Sequence, residues 1–470
     1  MLEQHYLTAL FEPKSVAVIG ASDRENSVGN IIFKNILSSG YKGRLYAINH
    51  KHETIQGQQA YKSIEEIGAR VELAVIATRA QTLPQLIEQC GRSGVRNVIV
   101  ISSGFSESGH VGAAIERKAL EIARSYNVRI LGPNCLGIIR PELGLNATFT
   151  KSTAKPGNLA LVSQSGAMCS AVLDWAKANQ VGFSSVISIG STADVDFGEI
   201  LDYLIYDSRT HYILMYVEGI RNARRFMSAL RSAARIKPII LLKAGRHEAG
   251  SAAASTHSGM AAVSDTVFDA AVRRAGVVRV QNVGQLFYAA KALASKFRPQ
   301  GNRLAIITNG GGPGAMAADR AGDMDIPLAV LTNETMVALN KMLPPNWSHS
   351  NPIDIAGDAT PERYRETILA VTKDPNVDST LVMLSPQAMT DPMGVAQAII
   401  EVADKLNRSI ICCWMGEEQV SAARKLLEEN GIPAFRMPET AIELFHHISK
   451  YYSNQKLLLQ TPEPTRQFGR

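Results

Sequence analysis

Short apolar runs recur along the chain, and nearly every one ends in a tail of glycine and small polar residues. Examples are Val16-Ala17-Val18-Ile19 before Gly20-Ala21-Ser22, Val98-Ile99-Val100-Ile101 before Ser102-Ser103-Gly104, and Leu159-Ala160-Leu161-Val162 before Ser163-Gln164-Ser165-Gly166. Runs without polar alternation are strands buried on both faces, and helical stretches such as 83–90 separate them. Strand, helix and strand in succession imply parallel sheets joined by crossover helices. At 470 residues the chain is too long for one core. The pattern therefore predicts an α/β chain of three consecutive doubly wound parallel-sheet domains of the Rossmann or flavodoxin kind. They are placed at 1–148, 149–296 and 297–456, with 457–470, and the chain from Asn454 onward, leaving the fold as a linker or tail.

Open α/β sheets place ligands beyond the carboxyl ends of their strands, so the small polar tails are the candidate sites. The turn Gly20-Ala21-Ser22, followed by a helical pattern from Gly29, is the kind of strand-to-helix turn whose backbone amides receive phosphate. The next strand ends in Asn49-His50-Lys51. A nicotinamide site would carry Asp or Glu there to hold ribose hydroxyls, so its absence counts against an oxidoreductase. Lys51 can instead meet a phosphate as a point charge. Ser163-Gln164-Ser165-Gly166 leads from a strand into a helix and offers an anion site that needs no basic side chain; taken alone, the same stretch is a helix cap. The strand over 212–217 ends at Glu218. Gly310-Gly311-Gly312-Pro313-Gly314 opens a third such helix, but no Gly-Lys-Ser/Thr follows, so it is not a Walker A loop. Cys135, without a paired histidine, reads as a small packed residue.

The strand over 238–243 runs into Gly250-Ser251-Ala252-Ala253-Ala254-Ser255-Thr256-His257-Ser258-Gly259. This light segment has almost no side chains with which to build a core and is expected to be a loop carrying one imidazole. A histidine so placed can visit two partners in turn; in isolation it reads as a solvated surface residue.

Ala252 to Gly259, with Ser264-Asp265, Phe268-Asp269-Ala270-Ala271 and Ala275-Gly276-Val277-Val278-Arg279-Val280, resembles the phosphohistidine loop of the nucleoside-diphosphate-forming acyl-CoA synthetases, the superfamily of succinyl-CoA synthetase. The resemblance covers about residues 8 to 455. It implies an acid–thiol ligase of the acetate–CoA ligase (ADP-forming) type, in which a histidine attacks an acyl phosphate and passes the phosphoryl group to ADP or GDP on an ATP-grasp partner. On this chain His257 would be the carrier and Glu218 its orienting carboxylate, accepting a hydrogen bond from one ring nitrogen. Ser163, Ser165 and Gly166 would cradle the phosphate. Gly20, Ser22, Lys51, Ser102, Ser103 and Asn134 would contact coenzyme A or acetyl-CoA. Asp194 and Asp196 match a motif near the acyl pocket of these enzymes. No metal ligands are assigned to this chain; ATP or ADP and Mg²⁺ would bind through an ATP-grasp subunit or fused domain, so the chain is expected to be incomplete alone and to form a homo- or hetero-oligomer.

Leu201-Asp202-Tyr203-Leu204, Asp207-Ser208-Arg209-Thr210 and Ala223-Arg224-Arg225-Phe226 resemble the corresponding region of bacterial protein lysine acetyltransferases. There a synthetase-like region is fused to an acetyltransferase domain and senses acetyl-CoA. The alternative expectation is thus an acyl-CoA-sensing regulatory region. Composition restricts the remaining classes. The formal charge of +6 is mild for this size, and no run of basic residues of the kind that tracks nucleic acid appears. No apolar run is long enough to span a bilayer. Five cysteines without a C-x-x-C spacing suit a reducing compartment, so the expected location is cytoplasmic.

Overall fold

The computed structural model describes residues 5–258, 264–299, 301–406 and 409–459, and it divides into two compact units, Met1–Gln281 and Asn282–Arg470. The first unit carries two seven-stranded sheets and the second a five-stranded sheet.

The strands of the first sheet are β1 (Ser15–Ile19), β2 (Arg44–Ile48), β3 (Thr54–Ile55), β4 (Gln58–Tyr61), β5 (Leu73–Ile76), β6 (Asn97–Val100) and β7 (Arg129–Leu131). Their spatial order is β3-β4-β2-β1-β5-β6-β7, parallel except for the β3/β4 hairpin. β1, β5 and β6 are buried along their whole length, as their unbroken apolar sequences require. β1 pairs with β2 on one side and β5 on the other, so the chain reverses its winding there and opens a crevice above the carboxyl ends of β1 and β5.

The second sheet contains β8 (Gly137–Arg140), β9 (Leu145–Thr148), β10 (Lys155–Ser163), β11 (Gly182–Ser188), β12 (Tyr212–Val217), β13 (Ile239–Lys243) and β14 (Val278–Val280). Its order is β14-β13-β12-β10-β11-β8-β9. β10 lies between β11 and β12, both parallel to it, and is the second switch point. The antiparallel β8/β9 ribbon, just downstream of the first sheet in sequence, pairs with β11. One continuous core runs from Val16 and Val18 of the first sheet to Leu241 and Val277 of the second. Arg140, 1% exposed, is buried beside Asp207 at 2.8 Å and also reaches Glu12 at 3.4 Å. Burial pushes the Asp207 carboxyl up, but Arg140, with bonds from Thr210 and the Arg209 amide, more than offsets this and holds it below its ordinary value. Arg129 at the start of β7 is bidentate to Asp194 and also bonds Glu199 at 2.7 Å.

The second unit holds β15 (Leu304–Thr308), β16 (Ile353–Asp354), β17 (Ser379–Leu384), β18 (Ser409–Trp414) and β19 (Ala434–Phe435), all parallel, in the order β16-β15-β17-β18-β19. Trp414 and Tyr364 anchor its core, and the Tyr364 hydroxyl donates to Met383 O at 2.9 Å. The helix Pro438–Leu459 continues through Asn454, where the sequence pattern predicts a linker.

Candidate active site

The first site is the crevice above β1. Gly20 leaves the strand with a φ of +97°, and a Cβ on Gly29 would stand 1.9 Å from Gly20 O. The start of the Val28–Ser38 helix thus rests directly on the turn, which only glycine at both places permits, and the turn backbone stays bare for a ligand. Asn49 Nδ2 donates to Ala21 O at 2.8 Å, while Asn49 Oδ1 accepts from Lys51 N at 2.8 Å and His52 N at 3.2 Å. Asn49 therefore ties together the two tails that carry Ser22 and Lys51. Ser22 Oγ accepts from Arg24 N at 3.0 Å, and Lys51 is exposed. On the other side, Ser102 Oγ donates to Thr78 O, and Asn134 N donates to Ser102 O at 2.9 Å. Ser103 stands exposed beside them, and Asn134 holds a φ of +55°. The six expected coenzyme A positions thus lie on the carboxyl ends of β1, β2, β6 and β7. Bare turn amides, a helix start and an exposed ammonium suit a phosphate-bearing ligand.

The second site lies above β10. The Gly166–Ala178 helix starts at Ser165, whose Oγ accepts from Met168 N at 3.2 Å. Ser163 is fully buried; its hydroxyl donates to Ser165 O at 2.9 Å and accepts from Ser165 N at 3.1 Å. It shapes the turn rather than facing outward. Gln164, placed between two expected phosphate residues but not singled out by the sequence, braces the site. Its Oε1 accepts from the amides of Glu218 and Gly219, and its Nε2 donates to Gly219 O at 3.0 Å. Glu218 is thereby fixed at the end of β12, next to the helix start. Burial first, and then the charge of and a hydrogen bond to Glu218, push the Tyr216 phenol up to about 12.

The segment expected to be a loop before His257 is helical over Glu248–Ser258. Its consecutive alanines are the best helix formers, and no packed core is needed for them to adopt helix. Position 257 falls in the last turn, and the His257 side chain lies outside the described residues. The base of the segment is clamped on both sides of it. Lys243 at the end of β13, 4% exposed, donates to Gly245 O at 2.9 Å and stands 3.6 Å from Asp265. Asp265, just beyond the segment, accepts from Arg279 of β14 at 2.6 Å, and both cations lie over the Phe268 ring. Burial lowers the Lys243 pKa, and the Asp265 charge opposes that shift.

The two sites meet at the segment after β7. Asn134 bonds the Ser102 tail, and two residues on, Leu136 lies against Gly166, where an added Cβ would sit 3.3 Å from Leu136 Cβ. Cys135 between them is buried, its thiol donating to Val100 O at 3.3 Å, and burial pushes its pKa up to about 12, so it is an inert packed residue. Asp194 accepts from Ile130 N and Arg129, and Asp196 caps the Phe197–Tyr206 helix and pairs with Arg225 at 2.7 Å. Asp194 thus ties the β7 strand to this junction and Asp196 joins two successive helices beyond it, roles the motif match does not reveal.

The second unit repeats the local design of the β10 turn. Thr308 Oγ1 donates to Gly310 O at 2.9 Å and accepts from Gly310 N at 3.1 Å, as Ser163 does around Ser165. Asn309 is bonded through both ends of its amide to Ser385, beyond the neighbouring β17, as Gln164 is to the tail of β12.

Three family models match successive parts of the chain: a CoA binding domain over 14–141, a succinyl-CoA ligase like flavodoxin domain over 156–293, and a Ligase-CoA domain over 304–452. Among curated relatives, acetate–CoA ligase [ADP-forming] I of Archaeoglobus fulgidus is 42% identical over 94% of this chain and 63% of its own length. The alpha subunit of acetate–CoA ligase [ADP-forming] I of Pyrococcus furiosus is 40% identical over 95% of this chain and 97% of its own. The chain therefore spans less than two thirds of the first relative and nearly all of the second. A solved structure of the dinucleotide-forming acetyl-coenzyme A synthetase 1 of Ca. Korarchaeum cryptofilum, in complex with phosphate and ADP, is 33% identical and superposes with a TM-score of 0.92 over 98% of this chain and all of that one. With a near-complete match to the separate alpha subunit and both switch-point turns in place, this chain belongs to the ADP-forming acetate–CoA ligase family, within which it corresponds to the alpha portion.

Proposed function

We propose that the chain is the coenzyme A-binding alpha portion of an ADP-forming acyl-CoA ligase working through a phosphohistidine at His257. In the thioester-cleaving direction, phosphate attacks the acyl carbonyl, coenzyme A leaves as its thiol, and an acyl phosphate forms. His257 then attacks phosphorus, the carboxylate leaves, and the imidazole carries the phosphoryl group to a nucleoside diphosphate. The residues of this chain supply placement and charge. Gly20, Ser22, Lys51, Ser102, Ser103 and Asn134 would hold coenzyme A, with Lys51 answering its phosphate. The amides at Gly166 and the Ser165 cap would receive phosphoryl oxygens, because a helix start presents unpaired donors and a positive dipole end. Ser163 acts by shaping that turn. Glu218 would accept a hydrogen bond from one ring nitrogen of His257 and leave the other as nucleophile.

One observation carries the reading: Gln164 locks the carboxylate-bearing strand end to the anion-accepting helix start, and Leu136 sets that start against the segment continuing from Asn134. The nucleotide, with Mg²⁺, would be held by an ATP-grasp subunit or fused domain, as the alpha-subunit name of the Pyrococcus relative suggests. Five buried free thiols fit a cytoplasmic setting, and among the described residues no helix is long and apolar enough to cross a membrane. The relatives named above are ligases, and the acetyltransferase-linked sensing role gains no support from them. The test is to mix the chain with an ATP-grasp partner, Mg²⁺ and γ-labelled ATP. Acid-labile label is expected on wild type and lost in His257→Ala; an unlabelled wild type, or label persisting in His257→Ala, overturns the proposal.

A further inference from the structure

We propose that Arg221 is a positioning residue that joins the coenzyme A-bearing tails to the Glu218 tail, so that the thioester half of the reaction depends on it and the nucleotide half does not. This rests on the function proposed above. Arg221 lies three residues beyond Glu218 on the same tail of β12. Its Nη2 stands 3.6 Å from Glu116 Oε1, and its Nε donates to Ser191 O at 3.1 Å.

Each contact leads to a different coenzyme A position. Glu116, 6% exposed, uses its other oxygen to accept from Ser106 N at 3.3 Å and Ser106 Oγ at 2.9 Å. Ser106 closes the tail that begins with Ser102 and Ser103, and Glu107 stiffens that tail by accepting from Gly104 N at 2.7 Å. A Cβ on Gly112 would stand 2.0 Å from Phe105 O, so the helix bearing Glu116 rests on this tail with no slack. Ser191, in turn, donates through its N to Pro133 O at 2.9 Å, next to Asn134. One guanidinium therefore binds the chain segments of Ser102, Asn134 and Glu218 into a single assembly. The helix Glu248–Ser258, which carries position 257, packs against the Ser106–Ser108 turn at the same place. The guanidinium spreads its donors over a planar fork that spans both partners, whereas a lysine ammonium would have to meet them from a single point.

Labelling His257 from thioester and phosphate requires the coenzyme A tails and the Glu218 tail in fixed register, because small misplacements of reacting groups cost rate steeply. Labelling from ATP uses His257 and the nucleotide-binding partner without the coenzyme A tails. The experiment uses the chain assembled with its ATP-grasp partner and follows the rate of His257 labelling from both donors: γ-labelled ATP with Mg²⁺, and labelled inorganic phosphate with acetyl-CoA. Arg221→Ala is expected to slow labelling from acetyl-CoA and phosphate by roughly tenfold or more, with ATP-derived labelling within about twofold of wild type. Glu116→Gln should shift the same half reaction in the same direction, and the double variant should be no worse than Arg221→Ala alone. Arg221→Lys, which keeps the charge and the bulk, serves if the alanine variant does not fold, and is expected to show the same split at smaller size. Equal slowing of both reactions, or slowing of neither, overturns the proposal. A wild-type chain that takes label from neither donor instead overturns the phosphohistidine reading beneath it.

Discussion

Gln164 holds Glu218 by its backbone: the Gln164 side-chain carbonyl accepts from the amide of Glu218 and, at 3.1 Å, from that of Gly219, while the Gln164 amide returns a bond to Gly219 O at 3.0 Å. A 2%-exposed primary amide spends both of its ends on one short stretch of the neighbouring tail. The position of the Glu218 carboxylate is thus set by a residue that need not touch substrate.

Gln164→Ala should leave the part-buried Glu218 amide, the buried Gly219 amide and the Gly219 carbonyl without their Gln164 partner. The expected loss is about 2–4 kcal/mol of stability, read from the denaturant midpoint, together with a larger fall in kcat than in coenzyme A affinity. Gln164→Glu keeps the acceptor but brings a charge and loses the donor, and should recover only part of the stability.

Gly29→Ala tests the crevice above β1. Its added methyl would meet Gly20 O at 1.9 Å, so the helix start or the turn must move. Overpacking of this kind costs about 1–3 kcal/mol. Calorimetric titration should show coenzyme A binding weakened at least about tenfold, since each 1.4 kcal/mol is a factor of ten. Unchanged affinity would contradict the assignment of this crevice to coenzyme A.

Asp265→Ala removes the carboxylate facing Lys243 and Arg279 at the base of the segment that carries His257. Because Asp265 is 30% exposed, the cost is placed below that of a fully buried pair, at about 2 kcal/mol. Adding Lys243→Met to Asp265→Ala should restore part of that stability, because the buried ammonium left without its carboxylate goes with it. Chemical denaturation of the single and double variants checks both statements.

His447 on the helix Pro438–Leu459 makes the second unit sensitive to acid. Burial, with smaller contributions from His446 and Lys450 and against Glu443, lowers its pKa from 6.5 to about 4, and its Nε2 is buried without a partner. The unfolded chain therefore takes up this proton before the folded one does. The contribution to stability is fully present above pH 6.5 and declines as pH falls toward about 4. The decline is at most roughly 1.4 kcal/mol per pH unit. Urea midpoints should fall between pH 7 and pH 5, and the slope should be shallower in His447→Leu.

The strands were legible because a buried parallel strand must be apolar throughout. β1, β10 and β12 stand where their unbroken runs place them, and each switch-point tail is small and polar because a turn into a helix needs such residues. The helix over Glu248–Ser258 was not, since light composition describes a helix and a loop equally well and the absence of an apolar stripe removed the usual signal. Gln164, Asn49 and Arg221 were invisible for another reason. Each also reaches across the sheet to a residue between 28 and 105 positions away, and one-dimensional spacing does not encode such pairings. The likeness between the β10 and β15 turns was hidden as well: Ser163 and Thr308, and Gln164 and Asn309, make the same bonds with different side chains.

The junction at Arg140 has a bearing on how this architecture is passed on. The guanidinium belongs to a ribbon that follows the first sheet in sequence, yet it neutralises Asp207, which is buried deep under the second. A chain severed between Thr148 and Lys155 would take from that carboxylate the guanidinium bonded to it and strip two strands from the neighbouring sheet. A gene rearrangement that reuses the second sheet must therefore take the ribbon along with it, and one that cuts at the far end of the ribbon must supply the counter-charge anew.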